Sequence, residues 1–200
     1  MSNFADVTVC IASIPPRSKK LRQALASVLI QTLQPADIIV AIDHRHEGAS
    51  ATKNRAVMKA NTAFVCMLDD DDQFLPNHIE VQYYAALDND ADVVYTIPSV
   101  PQLGGKPDGS GRYGLPFDAD ELRRRSYIPD TSLFNTRMAQ RVGGFQLPAD
   151  SPYDDWGLWL AMLKDGAKFH HEPIQTYIWN HWGYGTPGNP GNTSGDPTRW

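Results

Sequence analysis

Four consecutive carboxylates, Asp69-Asp70-Asp71-Asp72, follow directly on six apolar residues, Ala63-Phe64-Val65-Cys66-Met67-Leu68. Adjacent aspartates repel one another, and such a cluster is tolerated at low cost when it is fully hydrated or when a cation neutralises it. A solvated acidic turn and a cation site both meet that condition. The apolar run has no helical period and includes β-branched and aromatic members, so it reads as a strand buried on both faces of a parallel sheet. In open α/β sheets ligands bind at the carboxyl ends of strands, and the acids begin where this strand stops. Oxygen-only donors suit Mg²⁺ or Mn²⁺, and such an ion can in turn hold a diphosphate. Position therefore favours metal-diphosphate binding over the solvated turn. A second acidic pair, Asp154-Asp155, opens a late helical pattern, and His181 follows the last predicted strand. His44 and His46 have no third ligand nearby and read as surface loop.

Periodicity supplies the elements that must position these groups. Val7–Ala12 predicts a first strand, ended by Ser13-Ile14-Pro15-Pro16-Arg17, whose prolines cannot continue a central strand. Leu21, Ala24, Leu25, Val28 and Leu29 then follow helical spacing, and the helix ends before Pro35. Ile38–Ile42 predicts a second buried strand closing on Asp43. A shorter helix holding Lys53, Asn54 and Arg55 leads into the strand with the acids. This alternation is the α/β signature, with right-handed parallel crossovers. A helix starting at Pro76-Asn77, with Ile79, Tyr83 and Leu87 along one side, precedes a strand over Asp92–Thr96. Residues 98–116 read as a long irregular loop, of a length that is usually functional or mobile. The second half predicts a helix over Asp118–Arg125, a strand over Thr131–Phe134 and a helix over Thr136–Val142 stopped by Gly143-Gly144. The helix opened by Asp154-Asp155 carries Trp156, Trp159, Leu160 and Leu163 and stops at Gly166, and Thr176–Trp179 is a last strand. From Gly183 the chain has little capacity to bury a core and reads as a flexible lid or tail.

With 200 residues, 42% hydrophobic and 20% charged, the chain has the composition of one ordinary globular domain. No run approaches the roughly 18 apolar residues of a membrane span, and no basic region precedes an apolar stretch at the N-terminus. The expected location is the cytoplasm. Cys10 and Cys66 fall inside predicted strands, so neither a disulfide framework nor a thiolate zinc site is expected. A net charge of −5 argues against sequence-independent nucleic-acid binding.

Taken in order, these features resemble the GT-A glycosyltransferases of the family 2 type, which transfer sugars from nucleotide diphosphates with inversion. The resemblance runs from about Val7 to His181. Leu68-Asp69-Asp70-Asp71-Asp72 is similar to the family's strand-terminal D-x-D with an added acid, and Gly48–Arg55 to its G-x-x-x-A-R-N segment, with Lys53 for the usual Arg. Val142-Gly143-Gly144-Phe145 matches V-G-G-F, and Asp154-Asp155-Trp156 matches E-D-W with Asp for Glu. The resemblance implies a single GT-A domain over 1–182, with a nucleotide-binding half over 1–97 and an acceptor and base half over 98–182. It implies that Asp43 accepts hydrogen bonds from the base, that Ala12 and Ser13 line the same pocket, and that Lys53 lies beside base or phosphate. Asp69 would face the ribose with Asp70 beside it, and Asp71 would bind Mn²⁺ or Mg²⁺ with His181 near the metal and diphosphate. His181, between Trp179 and Trp182, fits a packed core histidine as well.

The chemistry needs these parts. A departing nucleoside diphosphate accumulates charge that a divalent cation stabilises, and the attacking hydroxyl needs a carboxylate base on the opposite side. Asp155 is the candidate base. Asp154, its like-charged neighbour, should raise one pKa of the pair, against the pull of the helix N-terminus. The implied donor is a nucleotide sugar, UDP-sugar favoured, and the acceptor is a glycan, lipid, protein side chain or modified nucleic-acid base. No Gln-x-x-Arg-Trp follows the acid pair and no membrane helix is predicted, which removes a processive polysaccharide synthase. A short chain leaves acceptor recognition to the 98–116 loop, the tail or a second subunit in a homo-oligomer. Two other readings use the same acids: a nucleotidyltransferase, disfavoured because Ser13-Ile14-Pro15-Pro16-Arg17 replaces a Gly-rich basic loop, and a sugar-nucleotide or carbohydrate-binding module without catalysis.

Overall fold

In the computed structural model, which describes residues 4–101, 113–146 and 153–180, strand β1 (Phe4–Ser13) lies between β2 (Gln34–Ile42) and β3 (Phe64–Asp69), parallel to both. Helices α1 (Ser18–Leu29) and α2 (Ala49–Val57) make the crossovers that parallel pairing demands. Then come β4 (Gln73–Phe74), α3 (His78–Asn89), β5 (Val93–Ser99), α4 (Ala119–Arg124), β6 (Leu133–Asn135), α5 (Thr136–Arg141), α6 (Asp154–Lys164) and β7 (Phe169–Ile178). The seven strands form one sheet ordered β2-β1-β3-β6-β5-β7-β4, in which β6 runs antiparallel to β3 and β5, and β4 antiparallel to β7.

Strand alternation divides the core between the two faces. Val7, Val9 and Ile11 of β1 join Cys66 and Leu68 of β3 under α1 and α3. Cys10, Val65 and Met67 point the other way, onto Ala56 and Val57 of α2 and Leu158, Trp159 and Met162 of α6. Both cysteines are free and fully buried, as small hydrophobes. No helix among the described residues is long and apolar enough to cross a membrane.

Several boundaries differ from those the sequence suggests. The Ile38–Ile42 run was expected inside the sheet, yet β2 is an edge strand with Val40 exposed, and its edge position is where Pro35 can be tolerated within a strand. The last strand begins at Phe169 rather than Thr176, because β5 supplies a parallel partner to a stretch whose own polarity gave no alternation. Asp118 sits before α4 as its cap, accepting from the Asp120 and Glu121 amides, whereas Asn77 precedes α3 without a side-chain cap bond. Leu87 faces solvent on α3 although Ile79 is fully buried. Most of the 98–116 loop, His181 and the tail lie outside the described residues.

A buried polar network links α3 to four strands. Gln82 donates from Nε2 to His78 Nε2 (2.6 Å) and accepts from the Leu133 amide (2.8 Å), so His78 must donate from Nδ1 to Thr176 Oγ1 (2.7 Å). Cys66 Sγ lies 3.4 Å from His78 Nε2, and Thr176 Oγ1 is 2.6 Å from Thr96 Oγ1. Burial pushes the His78 pKa down to about 3. Its unfolded value is near 6.5, so between those limits the unfolded chain takes up a proton that the fold refuses. Stability through this residue is complete above pH ~6.5 and declines as pH falls, approaching about 1.4 kcal/mol per pH unit. Urea unfolding of wild type and His78→Asn from pH 7 to pH 4.5 checks this: the wild-type curve should fall more steeply, and parallel curves would refute it.

Candidate active site

The parallel register brings three strand ends to one edge. Ala12 stands opposite Ala41 on one side and Asp69 on the other, and the Asp43 amide donates to Ser13 O at 2.8 Å. The four acids leave β3 in a turn closed by the Asp72 amide donating to Asp69 O (3.1 Å), and their surroundings differ. Asp70 is buried and accepts from Ser13 Oγ (2.6 Å) and Arg17 Nη1 (2.9 Å). Burial raises its pKa, and Arg17 and Ser13 limit the rise. Asp71 lies 3.5 Å from both Arg17 and Lys20. Asp72 is buried and accepts from the Asn180 amide (2.8 Å), while Asn180 Nδ2 donates to Asp71 O (2.7 Å). Burial, then Asp71 and Asp69, hold the Asp72 carboxyl well above the usual carboxylate range. Asp69 keeps 40% of its side chain exposed. Its pKa is also lifted, first by burial of the site and next by Asp130, with Lys53 opposing, and solvent contact moderates that rise.

Asp43 serves its own loop. Oδ1 accepts from the amides of Arg45 and Glu47 (both 3.0 Å) and Oδ2 from Gly48 (2.9 Å), so the carboxylate is buried. Burial works to raise its pKa, but the three amides outweigh it and hold the group below the ordinary value.

On the facing wall, Lys53 is only 6% exposed and sits among carboxylates: Nζ is 2.8 Å from Asp130, 3.3 Å from Asp154 and 3.8 Å from Asp69. Burial opposes its charge, yet Asp130, Asp154 and Asp69 together hold the ammonium well above the usual lysine range. The side chain therefore points into a carboxylate cluster. Asp154 also accepts from Ser50 Oγ at 3.0 Å. Asp155 accepts its neighbour Trp156's amide at 2.8 Å, as an acid in the first turn of α6 does. Burial first and Asp130 next raise Asp155 to about 7, with Lys53 pulling the other way. Asp130 is absent from the residues expected by sequence; its one signal is an acid just before the buried run Thr131–Phe134, in Pro129-Asp130-Thr131.

Asn54 explains why Lys53-Asn54-Arg55 and Val142-Gly143-Gly144-Phe145 occur together. Its Oδ1 accepts from the Phe145 amide (2.8 Å) and its Nδ2 donates to Phe145 O (2.9 Å). A Cβ on Gly144 (φ +72) would stand 2.1 Å from Asn54 Oδ1, so glycine is required twice over. Gly144→Ala should destabilise the fold by about 2–3 kcal/mol, from backbone strain plus loss of the clamp, measurable by urea unfolding. An unchanged midpoint would contradict it.

A family model, Glycosyl transferase family 2, matches residues 15–143, more than half of the chain. The chain belongs to glycosyl transferase family 2. The family 2 match includes Asp43, Lys53 and the acid run, and it ends before Asp154 and Asp155. Ala12 and Ser13 precede it. The chain is 25% identical over 179 residues to YwdF of Bacillus subtilis (strain 168), an uncharacterized glycosyltransferase, covering 74% of this chain and 65% of that protein. TarS residues 1–349 of S. aureus, solved with UDP-GlcNAc, superposes at TM-score 0.68 and 12% identity over 92% of this chain and 62% of that one. Mannosyltransferase PcManGT of Pyrobaculum calidifontis, solved with GDP-Man and Mn²⁺, gives 0.64 and 14% over 88% and 57%. The chain thus spans between 57% and 65% of the length of these relatives. The likenesses fix the fold as GT-A, a single α/β domain with a mostly parallel sheet.

Proposed function

We propose that this family 2 chain is a metal-assisted, inverting glycosyltransferase that uses a nucleotide sugar, UDP-sugar first, and an acceptor hydroxyl. The observation that carries the reading is Lys53, which stands 3.8 Å from strand-end Asp69 and 3.3 Å from Asp154 and acts on the adjacent Asp155. UDP-GlcNAc in the TarS structure and GDP-Man with Mn²⁺ in the mannosyltransferase support the donor class.

Among the described residues no group of three or more His, Cys, Asp or Glu side chains is arranged to hold a metal. The donor chemistry still fits one: Asp69 and Asp71 carry oxygen donors two positions apart at a partly open turn, with Lys53 3.8 Å from Asp69 and Arg17 3.5 Å from Asp71. Those two residues would hold a hard divalent ion that takes further ligands from a diphosphate or water. Such an ion, when bound, stabilises charge on the departing diphosphate. His181 is kept as a proposed neighbour of that ion.

Asp155 accepts the acceptor's hydroxyl proton as the oxygen forms its bond to the anomeric carbon. The bond from that carbon to the diphosphate oxygen breaks on the opposite face, and its electron pair leaves with the nucleoside diphosphate. A raised pKa suits Asp155 to take a proton near neutrality. Asp70, fixed by Ser13 and Arg17, shapes the turn, and Asp43 shapes the loop that follows β2, with Ala12 beside them. Residues 1–97 form the donor side and 98–182 the acceptor and base side.

The experiment is a thermal-shift panel of nucleoside diphosphates and nucleotide sugars with and without Mn²⁺. At about 100 times the dissociation constant a ligand adds roughly 2.7 kcal/mol of stability. A Mn²⁺-dependent shift with UDP or UDP-sugar is expected, and no shift with any nucleotide would overturn the donor assignment.

A further inference from the structure

Two residues one helical turn apart on α2 hold the N-terminus of α6. Ser50 Oγ donates to Asp154 Oδ2 (3.0 Å) and Lys53 Nζ reaches Asp154 Oδ1 (3.3 Å), so both oxygens of this buried carboxylate are occupied. The next residue, Asn54, clamps the Phe145 backbone in both directions. Helix α2 therefore grips the chain at Phe145 and again at Asp154, about a hundred residues downstream of itself. Lys53 also lies under the Phe145 ring, 5.1 Å from its centroid, so the two grips share one side chain.

We propose that Lys53 and Ser50 are positioning residues that fix Asp154 as an anchor, so that Asp155, the following residue, is set toward the acceptor. The assignment rests on the reading of Asp155 as the base. It gives the two acids different tasks: Asp154 orients and Asp155 takes the proton. Lys53 makes its two shorter contacts to Asp130 and Asp154, at 2.8 and 3.3 Å, and reaches strand-end Asp69 only at 3.8 Å, so its first task is to hold the base side. An aspartate side chain displaced by an ångström from its reacting geometry can cost about a hundredfold in rate. Breaking the anchor should therefore lower turnover while leaving donor affinity intact.

The test uses the full chain with Lys53→Met, Lys53→Arg, Ser50→Ala and Asp155→Asn, read in two ways. Hydrogen exchange at the amides of residues 154–157 should rise about tenfold or more in Lys53→Met and Ser50→Ala, stay at the wild-type level in Asp155→Asn, and return toward it in Lys53→Arg. Hydrolysis of UDP-sugar with Mn²⁺ should lose kcat by about tenfold in Ser50→Ala, whose hydroxyl touches Asp154 and not the strand-end acids, with KM for the donor unchanged. Unchanged exchange in the first turn of α6 would overturn the proposal whatever the turnover. A Ser50→Ala variant that loses donor affinity while keeping its turnover would overturn it too. Loosened exchange in a protein whose wild type turns over no nucleotide sugar would sustain the anchor and reject the enzymatic reading.

Discussion

Asp155→Asn is expected to lower sugar-transfer or donor-hydrolysis turnover by about 10²–10⁴-fold, the range that a positioned general base contributes. Asparagine keeps the shape and can still accept the Trp156 amide that Asp155 holds at 2.8 Å, so α6 should start as before. The proposed nucleotide site is formed by the strand-end residues rather than by Asp155, so binding should persist, giving a normal thermal shift beside a lost rate. Asp130, Lys53 and Asp154 are the charged groups that act on this carboxyl, and burial with Asp130 sets it near 7. A base must be deprotonated, so turnover should be low at pH 6 and climb through about pH 7 to a plateau. A pH–rate profile of wild type measures this, and a flat profile with an active Asn variant would place the base elsewhere. The same measurement excludes a binding module without catalysis, which would show no rate to lose.

Asp69→Asn should have the second largest effect and a double sign. Asp69 carries a carboxyl lifted by burial and by Asp130, so its charge opposes folding when no cation is present. A raised pKa means that the folded chain holds a proton the unfolded chain has released, so this stabilising contribution is lost as pH rises through the folded value. Asparagine removes the repulsion, and the metal-free protein should melt a few degrees higher at pH 8, a modest gain because the side chain is 40% exposed. The same change deletes a proposed oxygen ligand, and the Mn²⁺-dependent part of the nucleotide shift should vanish with turnover down about a hundredfold or more. A variant that is neither steadier without metal nor indifferent to Mn²⁺ would contradict the role. Functional charge clusters often carry this trade between stability and activity.

Much of this was legible from residue order because the informative segments are locally self-sufficient. The run Phe64–Leu68 is apolar on both sides, and it is a central strand between β1 and β6. Asp154-Asp155 begin α6 as acids suited to a helix N-terminus. What could not be read is what depends on distant partners. Nothing in Lys53's neighbourhood along the chain announces Asp130, which arrives from the loop before β6 to within 2.8 Å. The split of the acid run into an Arg17-held Asp70 and an Asn180-held Asp72 depends on two elements separated by over a hundred residues. Strand β4 is two residues long and exists only because β7 offers an edge at Tyr177 and Ile178. Asp43's acceptance of three amides from its own loop is a local contact that no motif announces.

The place of β6 carries a consequence for biosynthesis. This three-residue strand is made after β1, β2, β3 and β5, yet it stands between β3 and β5. A chain emerging from the ribosome must keep two unzipped edges, at β3 and at β5, until roughly residue 135 has left the exit tunnel. Exposed edges of that kind recruit other strands, so slow translation between β5 and β6 should be the interval in which this protein most needs a chaperone.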